Sequence, residues 1–123
     1  MYNEVILNEF YNPDNVGVIK GASAVGKVVS NVCGEIVKIF VSVENNRIMD
    51  AKFQTYGCAA AIAATSFATR EIIGKTLEEA AKISEKDVLE LMGGELPEIK
   101  MYIPLLVIET IHDMIDDYNK NKK

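Results

Sequence analysis

Hydrophobic positions change their period along the chain, and the changes mark the elements. In Ile36 to Val43, the residues Val37, Ile39, Val41 and Val43 alternate with Lys38, Phe40 and Ser42. Period-two alternation predicts a half-buried strand. Asn45-Asn46 is a turn signal, and Arg47 to Tyr56 alternates again, with Met49, Ala51 and Phe53 on one face and Asp50, Lys52 and Gln54 on the other. Together they predict an antiparallel hairpin, and Lys27 to Asn31 adds a third strand. Before the strands, residues 2–11 predict a short amphipathic helix with Val5, Ile6 and Phe10 on one side. Asn12-Pro13-Asp14-Asn15 ends it, because proline restricts the residue before it and Asn and Asp favour turns. From Val16 to Gly26 the chain holds three glycines and several small residues, which reads as a mobile loop.

After the hairpin the period becomes helical. Ala59 to Ile73 is small and apolar nearly all round, the mark of a buried helix, with Gly74 placed to stop it. Thr76 with Glu79 makes a capping box opening a short helix through Ala81, and Ser84 caps another that ends at Gly93-Gly94. Leu96-Pro97-Glu98-Ile99-Lys100 is expected to be extended because of its proline. In the last helix Pro104 sits in the first turn, where it is tolerated. Ile103, Val107, Ile111, Met114, Ile115 and Tyr118 form one stripe, Glu109, Asp113 and Asp116 lie outside it, and Lys120, Lys122 and Lys123 suit the negative end of the helix dipole. The fold class is α+β: a small three-stranded antiparallel sheet with helices packed on one face.

A length of 123 residues fits one domain, residues 1–123, and is long enough to bury a core without staples. The net charge of -5 disfavours nucleic-acid binding through phosphate neutralisation. No apolar run is long enough to cross a bilayer, and the first residues do not read as a secretion signal, so a cytoplasmic protein is expected. Cytosolic thiols are usually reduced, which makes Cys33 and Cys58 better candidates for ligands, reactive groups or core filler than for a structural disulfide.

Position singles out those two cysteines. Cys33 stands just before a predicted strand; Cys58 stands after one, where a helix begins, and a helix N-terminus favours thiolate. Each has a glycine beside it. The start of one hairpin strand and the end of its antiparallel partner share a sheet edge, so the two thiols can meet there. Glu35, two residues from Cys33 and on the same strand face, is a possible oxygen ligand, although spacing alone favours a solvated surface carboxylate. A free cysteine can equally be a small buried hydrophobe. His112 lacks the cluster of a metal site and reads as a surface residue. Gly17, Gly21 and Gly26 do not make a phosphate loop, no catalytic triad is visible, and the methionines read as core filler. No turnover chemistry is evident, so an enzyme is not expected.

Five segments resemble the NifU/IscU-type iron–sulfur cluster scaffold family over nearly the whole chain. Phe10-Tyr11-Asn12-Pro13-Asp14-Asn15-Val16-Gly17 is similar to its N-terminal Y-x-N-P-x-N-x-G motif, and Cys33-Gly34-Glu35 to its first-cysteine C-G-D. Thr55 to Ala63 is similar to its T-Y-G-C-x-x-x-I-A motif, and Gly74 to Ala80 to its G-K-[ST]-x-x-E-A turn. Leu96 to Lys100 resembles the L-P-P-V-K segment that engages an Hsp70-type chaperone. The resemblance implies a scaffold of NifU/IscU N-terminal-like fold that takes sulfur from a cysteine desulfurase, binds iron, assembles a labile [2Fe–2S] cluster and passes it to apo iron–sulfur proteins.

The chain departs from the family's ligand set, which comprises three cysteines, a histidine beside the third and an aspartate after the first. Tyr102 stands where the histidine falls and Ile103 where the third cysteine falls, while Glu35 replaces the aspartate. The ligands implied are therefore Cys33, Cys58 and Glu35, with a phenolate oxygen of Tyr102 as a further donor. A [2Fe–2S] cluster usually wants four protein ligands. A homodimer sharing one cluster would offer four thiolates, whereas zinc would accept two thiolates, the carboxylate and water in one subunit. A cluster-free adaptor that docks a desulfurase or chaperone, and a persulfide or dithiol sulfur carrier, are the alternative functions.

Overall fold

A computed structural model of the chain describes residues 2–121; Lys122 and Lys123, assigned above to the last helix, lie outside them. The elements follow in the order α1 (Glu4–Tyr11), β1 (Ala24–Val29), β2 (Ile36–Glu44), β3 (Arg47–Tyr56), α2 (Ala59–Ile72), α3 (Leu77–Ala81), α4 (Glu85–Leu91), a 3-10 turn (Glu98–Lys100) and α5 (Ile103–Asn121). The strands form one antiparallel sheet in the order β1-β2-β3. The expected α+β class therefore holds.

One set of cross-strand neighbours builds the inner face of the sheet. Ala24, Val41 and Ala51 stand side by side, as do Gly26, Ile39 and Phe53. Helices α2 and α5 cover this face, and Ala60, Ala63, Ala64, Val107, Ile111 and Met114 complete the core. The opposite face carries Lys27, Lys38, Lys52 and Gln54. Phe40, placed there by parity, is nonetheless buried and has the Lys38 ammonium 5.1 Å from its ring centroid.

Both sheet edges are closed by side chains and loops rather than left open for another strand. On β1, the amides of Val25 and Lys27 donate to Asp117 Oδ2 (2.9 Å) and Asp113 Oδ2 (2.8 Å) from α5. On β3, Phe53 exchanges hydrogen bonds with Asn15 and Gly17, and Ile48 with Gly74 and Lys75. The 16–26 segment is thus anchored to the sheet rather than the mobile loop expected, and its last glycine belongs to β1. The strand itself begins at Ala24 rather than Lys27. Gly26 is the reason: a Cβ there would lie 2.7 Å from Met114 N and closer still to Thr110 O, so only a glycine lets α5 pack directly on this strand.

Other expectations change in detail. A register shift between Ser42 and Val43 leaves Met49 without a cross-strand partner, so Ile48 turns inward and Met49 is exposed. In α1, Ile6 is buried but Val5 is exposed. Met92 and Met114 are core residues, whereas Met49 and Met101 are not. Leu106, Ile108 and Thr110 widen the buried stripe of α5 beyond the residues expected. The Asn45-Asn46 turn has positive φ at both residues (52° and 64°), as a tight hairpin turn requires. The Thr76–Glu79 capping box forms as expected, and Ser84 caps α4 as expected, with Asp87 completing a second box. Among the described residues, no helix is long and apolar enough to cross a membrane.

The close approach at Gly26 yields a test. Gly26→Ala must push α5 off the sheet, and overpacking of this kind costs about 1–3 kcal/mol. Urea unfolding should show a lower midpoint at unchanged slope; an unaltered midpoint would mean that α5 does not rest on β1.

Candidate functional site

Four chain segments meet at the end of the sheet where β2 begins and β3 ends. The β1–β2 connection supplies Cys33 and Glu35. Its ends are closed by Ser30 N donating to Glu35 O (2.7 Å) and Gly34 N to Ser30 O (3.2 Å). Gly34 has φ +72°, a left-handed conformation that glycine adopts without steric cost. The β3–α2 junction supplies Cys58, the N-cap residue of α2, whose side chain makes no capping hydrogen bond. The 3-10 turn and the residues before α5 supply Lys100 and Tyr102. Tyr2 arrives from the N-terminal arm, where Asn3 caps α1 and ties it to the end of α4 through Met92 O (3.0 Å).

The arm is held over α2 by a polar clamp. The Ser66 hydroxyl donates to Glu9 Oε2 (2.5 Å) and accepts from Asp14 N (2.8 Å). Arg70 pairs with both Glu9 and Asp14. The Asn12–Asn15 turn thus orients the arm that carries Tyr2 towards the site.

Glu35 sits at the centre. The alternation that buries Val37, Ile39 and Val41 extends one step backwards and places Glu35 on the inner face, 3% exposed. It is not the solvated surface carboxylate that spacing favoured. Oε2 accepts a hydrogen bond from the Tyr102 hydroxyl and lies 3.8 Å from Cys58 Sγ and 3.9 Å from Lys100 Nζ. Oε1 is buried without a hydrogen-bond partner. Gly57 permits the packing: a Cβ on it would lie 2.5 Å from Glu35 Cγ.

Burial opposes ionisation of Glu35, but the Tyr102 hydroxyl, its own backbone N–H, the Lys100 ammonium and Ser30 together outweigh it and hold the carboxyl below the usual glutamate range. The neighbouring phenols move the other way. Burial, then hydrogen bonding to Glu35 and Cys33, pushes Tyr102 far up. Burial and the Cys58 thiol raise Tyr2 to about 12. Both stay protonated near neutral pH, so both can donate hydrogen bonds to the thiols and the carboxylate.

Both cysteines are free; Cys33 is exposed and Cys58 half-buried. Cys33 lies in the turn before β2, not on the strand face it was expected to share with Glu35. The structure brings Glu35 against Cys58 and sets Cys33 at the same sheet end, in the turn before β2. Among the described residues, no three His, Cys, Asp or Glu side chains are gathered closely enough to hold a metal ion. A cavity of about 280 Å³ adjoins the site, lined by Val29, Val32, Tyr102 and Leu105 among others. A larger one of about 480 Å³ lies among the charged side chains of α2 to α4 and contains no thiol. His112 is exposed, as expected, with Nε2 3.2 Å from Ala81 O. Ile103, where a third ligand was sought, is fully buried.

Sequence reasoning named Cys33, Glu35 and Cys58 as candidates but did not name Tyr2 and Lys100, which the fold brings beside Cys58 and Glu35. Neither carries a local signal, since each reaches the site only through long-range packing. The chain was compared with known proteins, and a family model described as the NifU-like N terminal domain matches residues 1–123. The chain belongs to the NifU/IscU family of iron–sulfur cluster assembly scaffolds. It is 48% identical over 124 residues to iron–sulfur cluster assembly scaffold protein IscU 1 of Archaeoglobus fulgidus, covering 100% of this chain and 80% of the relative. It is 41% identical to the IscU scaffold protein of Aquifex aeolicus, covering 95% of this chain and 75% of that one. The solved N-terminal structure of a nitrogen-fixing NifU-like protein from Brucella abortus shares the fold, with a TM-score of 0.77 at 23% identity over 97% of this chain and 94% of that one. The NifU/IscU fold expected from the five motifs is therefore the fold found.

The depressed Glu35 value has a consequence for stability. Folding favours the ionised form, so its contribution is complete above the ordinary glutamate value of about 4.3 and is lost as pH falls through the lower folded value. Urea titrations of the wild type and Glu35→Gln from about pH 5 to pH 3 should show the wild type losing stability more steeply. Parallel curves would mean that this ionisation is not linked to folding.

Proposed function

We propose that residues 1–123 act as a single scaffold domain that holds iron, or a [2Fe–2S] cluster under assembly, on Cys33, Cys58 and Glu35 and passes it to apo iron–sulfur proteins. The reading is carried by the anionic, buried Glu35 beside the half-buried Cys58 thiol, with one carboxylate oxygen left unpartnered. Thiolates bind iron firmly, and a mixed donor set with one exposed thiol lets it leave, the combination a labile cargo needs. The names of the relatives as cluster assembly scaffolds support the same function.

With two thiols per chain, a homodimer sharing one cluster across its two-fold axis completes four sulfur ligands. Zinc is the alternative occupant of a single chain, on Cys33, Cys58, Glu35 and water. Sulfur comes from a cysteine desulfurase in the cytoplasm, and the role is that of a carrier rather than an enzyme. An Hsp70-type chaperone engages Leu96 to Lys100. That segment is not extended as its proline implied; Glu98–Lys100 forms a 3-10 turn that leaves Ile99 79% exposed, an apolar side chain available to a partner.

A cluster-free adaptor is the second reading, favoured by the buried Ile103 at the third ligand position together with this exposed turn. Anaerobic reconstitution with iron and sulfide separates the two. The scaffold reading expects a coloured protein with about one iron per subunit, and loss of both colour and iron in Cys58→Ala. A colourless wild type without iron, whose binding to a desulfurase or chaperone survives Cys33→Ser/Cys58→Ser, would establish the adaptor instead.

A further inference from the structure

The carboxylate oxygen nearest the Cys58 thiol is already engaged. Oε2 of Glu35 accepts from the Tyr102 hydroxyl, and the Lys100 ammonium stands 3.9 Å from the same atom. The other oxygen is buried without a hydrogen-bond partner. The Tyr102 hydroxyl therefore occupies the same carboxylate oxygen that an ion shared by Glu35 and the Cys58 thiol would need.

Resting on the reading that Cys33, Glu35 and Cys58 hold the cargo, we infer that Tyr102 is a positioning residue that withholds Glu35 from it. The phenol binds the carboxylate in the empty protein and releases it when a metal ion takes its place beside the Cys58 thiol. The local structure permits such a release. Tyr102 lies between the 3-10 turn and α5, and its neighbours Ile99 and Met101 are exposed, while Ile103 anchors the helix in the core. The phenol can withdraw there without unpacking α5. A competent state that must first be freed lowers apparent affinity by the fraction of molecules that occupy it.

Anaerobic titration with cobalt(II) tests this, because the near-ultraviolet charge-transfer band of cobalt–thiolate reports sulfur coordination independently of cluster assembly. Tyr102→Phe keeps the ring and removes the donor. Breaking a hydrogen bond to a charged group should tighten cobalt binding about tenfold or more. The gain should vanish in Glu35→Gln/Tyr102→Phe. Unchanged or weaker binding in Tyr102→Phe, or a gain that persists in the double variant, overturns the role of Tyr102 while a normal thiolate band leaves the scaffold reading intact. No thiolate band in any of the proteins removes both.

Discussion

Burying a carboxylate at the end of a sheet costs free energy unless hydrogen bonds and charge replace the lost water, and at Glu35 those replacements come from separate parts of the chain. Tyr102 and Lys100 arrive from the segment before α5, and the thiol of Cys58 from the start of α2. Satisfying this one group therefore draws several otherwise independent connections to a single point. The contacts that keep the carboxylate ionised also occupy the oxygen on the side of the Cys58 thiol.

The surrounding fold presents that point and little else. Aspartates of α5 close one sheet edge, and the Asn15–Gly17 and Gly74–Lys75 segments close the other. Main-chain pairing with another protein is thereby discouraged along the strands. Exposed apolar side chains stand near the site at Val32 in the β1–β2 connection, at Ile99 and Met101 around the 3-10 turn and at Leu105 in the first turn of α5.

The departures from the family's ligand pattern also fit together physically. Ile103 belongs to the core, fully buried at the start of α5, so its side chain adds packing at the position where the resemblance places a third cysteine. Tyr102, one residue earlier, reaches the longer carboxylate of Glu35. Tyr102 satisfies one carboxylate oxygen of Glu35, and the other stays buried without a partner.

Local pattern alone determined much of this molecule. Alternation marked β2 and β3, small apolar residues marked α2, a capping box marked α3, the Ser84 cap marked α4, and the five motifs placed the chain in its family. Each of these is written within a few residues, where backbone geometry and capping chemistry act. Parity even contained the burial of Glu35, since it continues the inward set of Val37, Ile39 and Val41. Tertiary structure alone decided the rest. The register shift that turned Ile48 inward depends on how β3 pairs with β2. The early start of β1 depends on α5 resting against Gly26. The assembly of Tyr2, Lys100 and Tyr102 around two cysteines depends on contacts between residues far apart in the chain, because a buried charge selects partners by proximity in space, which a one-dimensional pattern does not record.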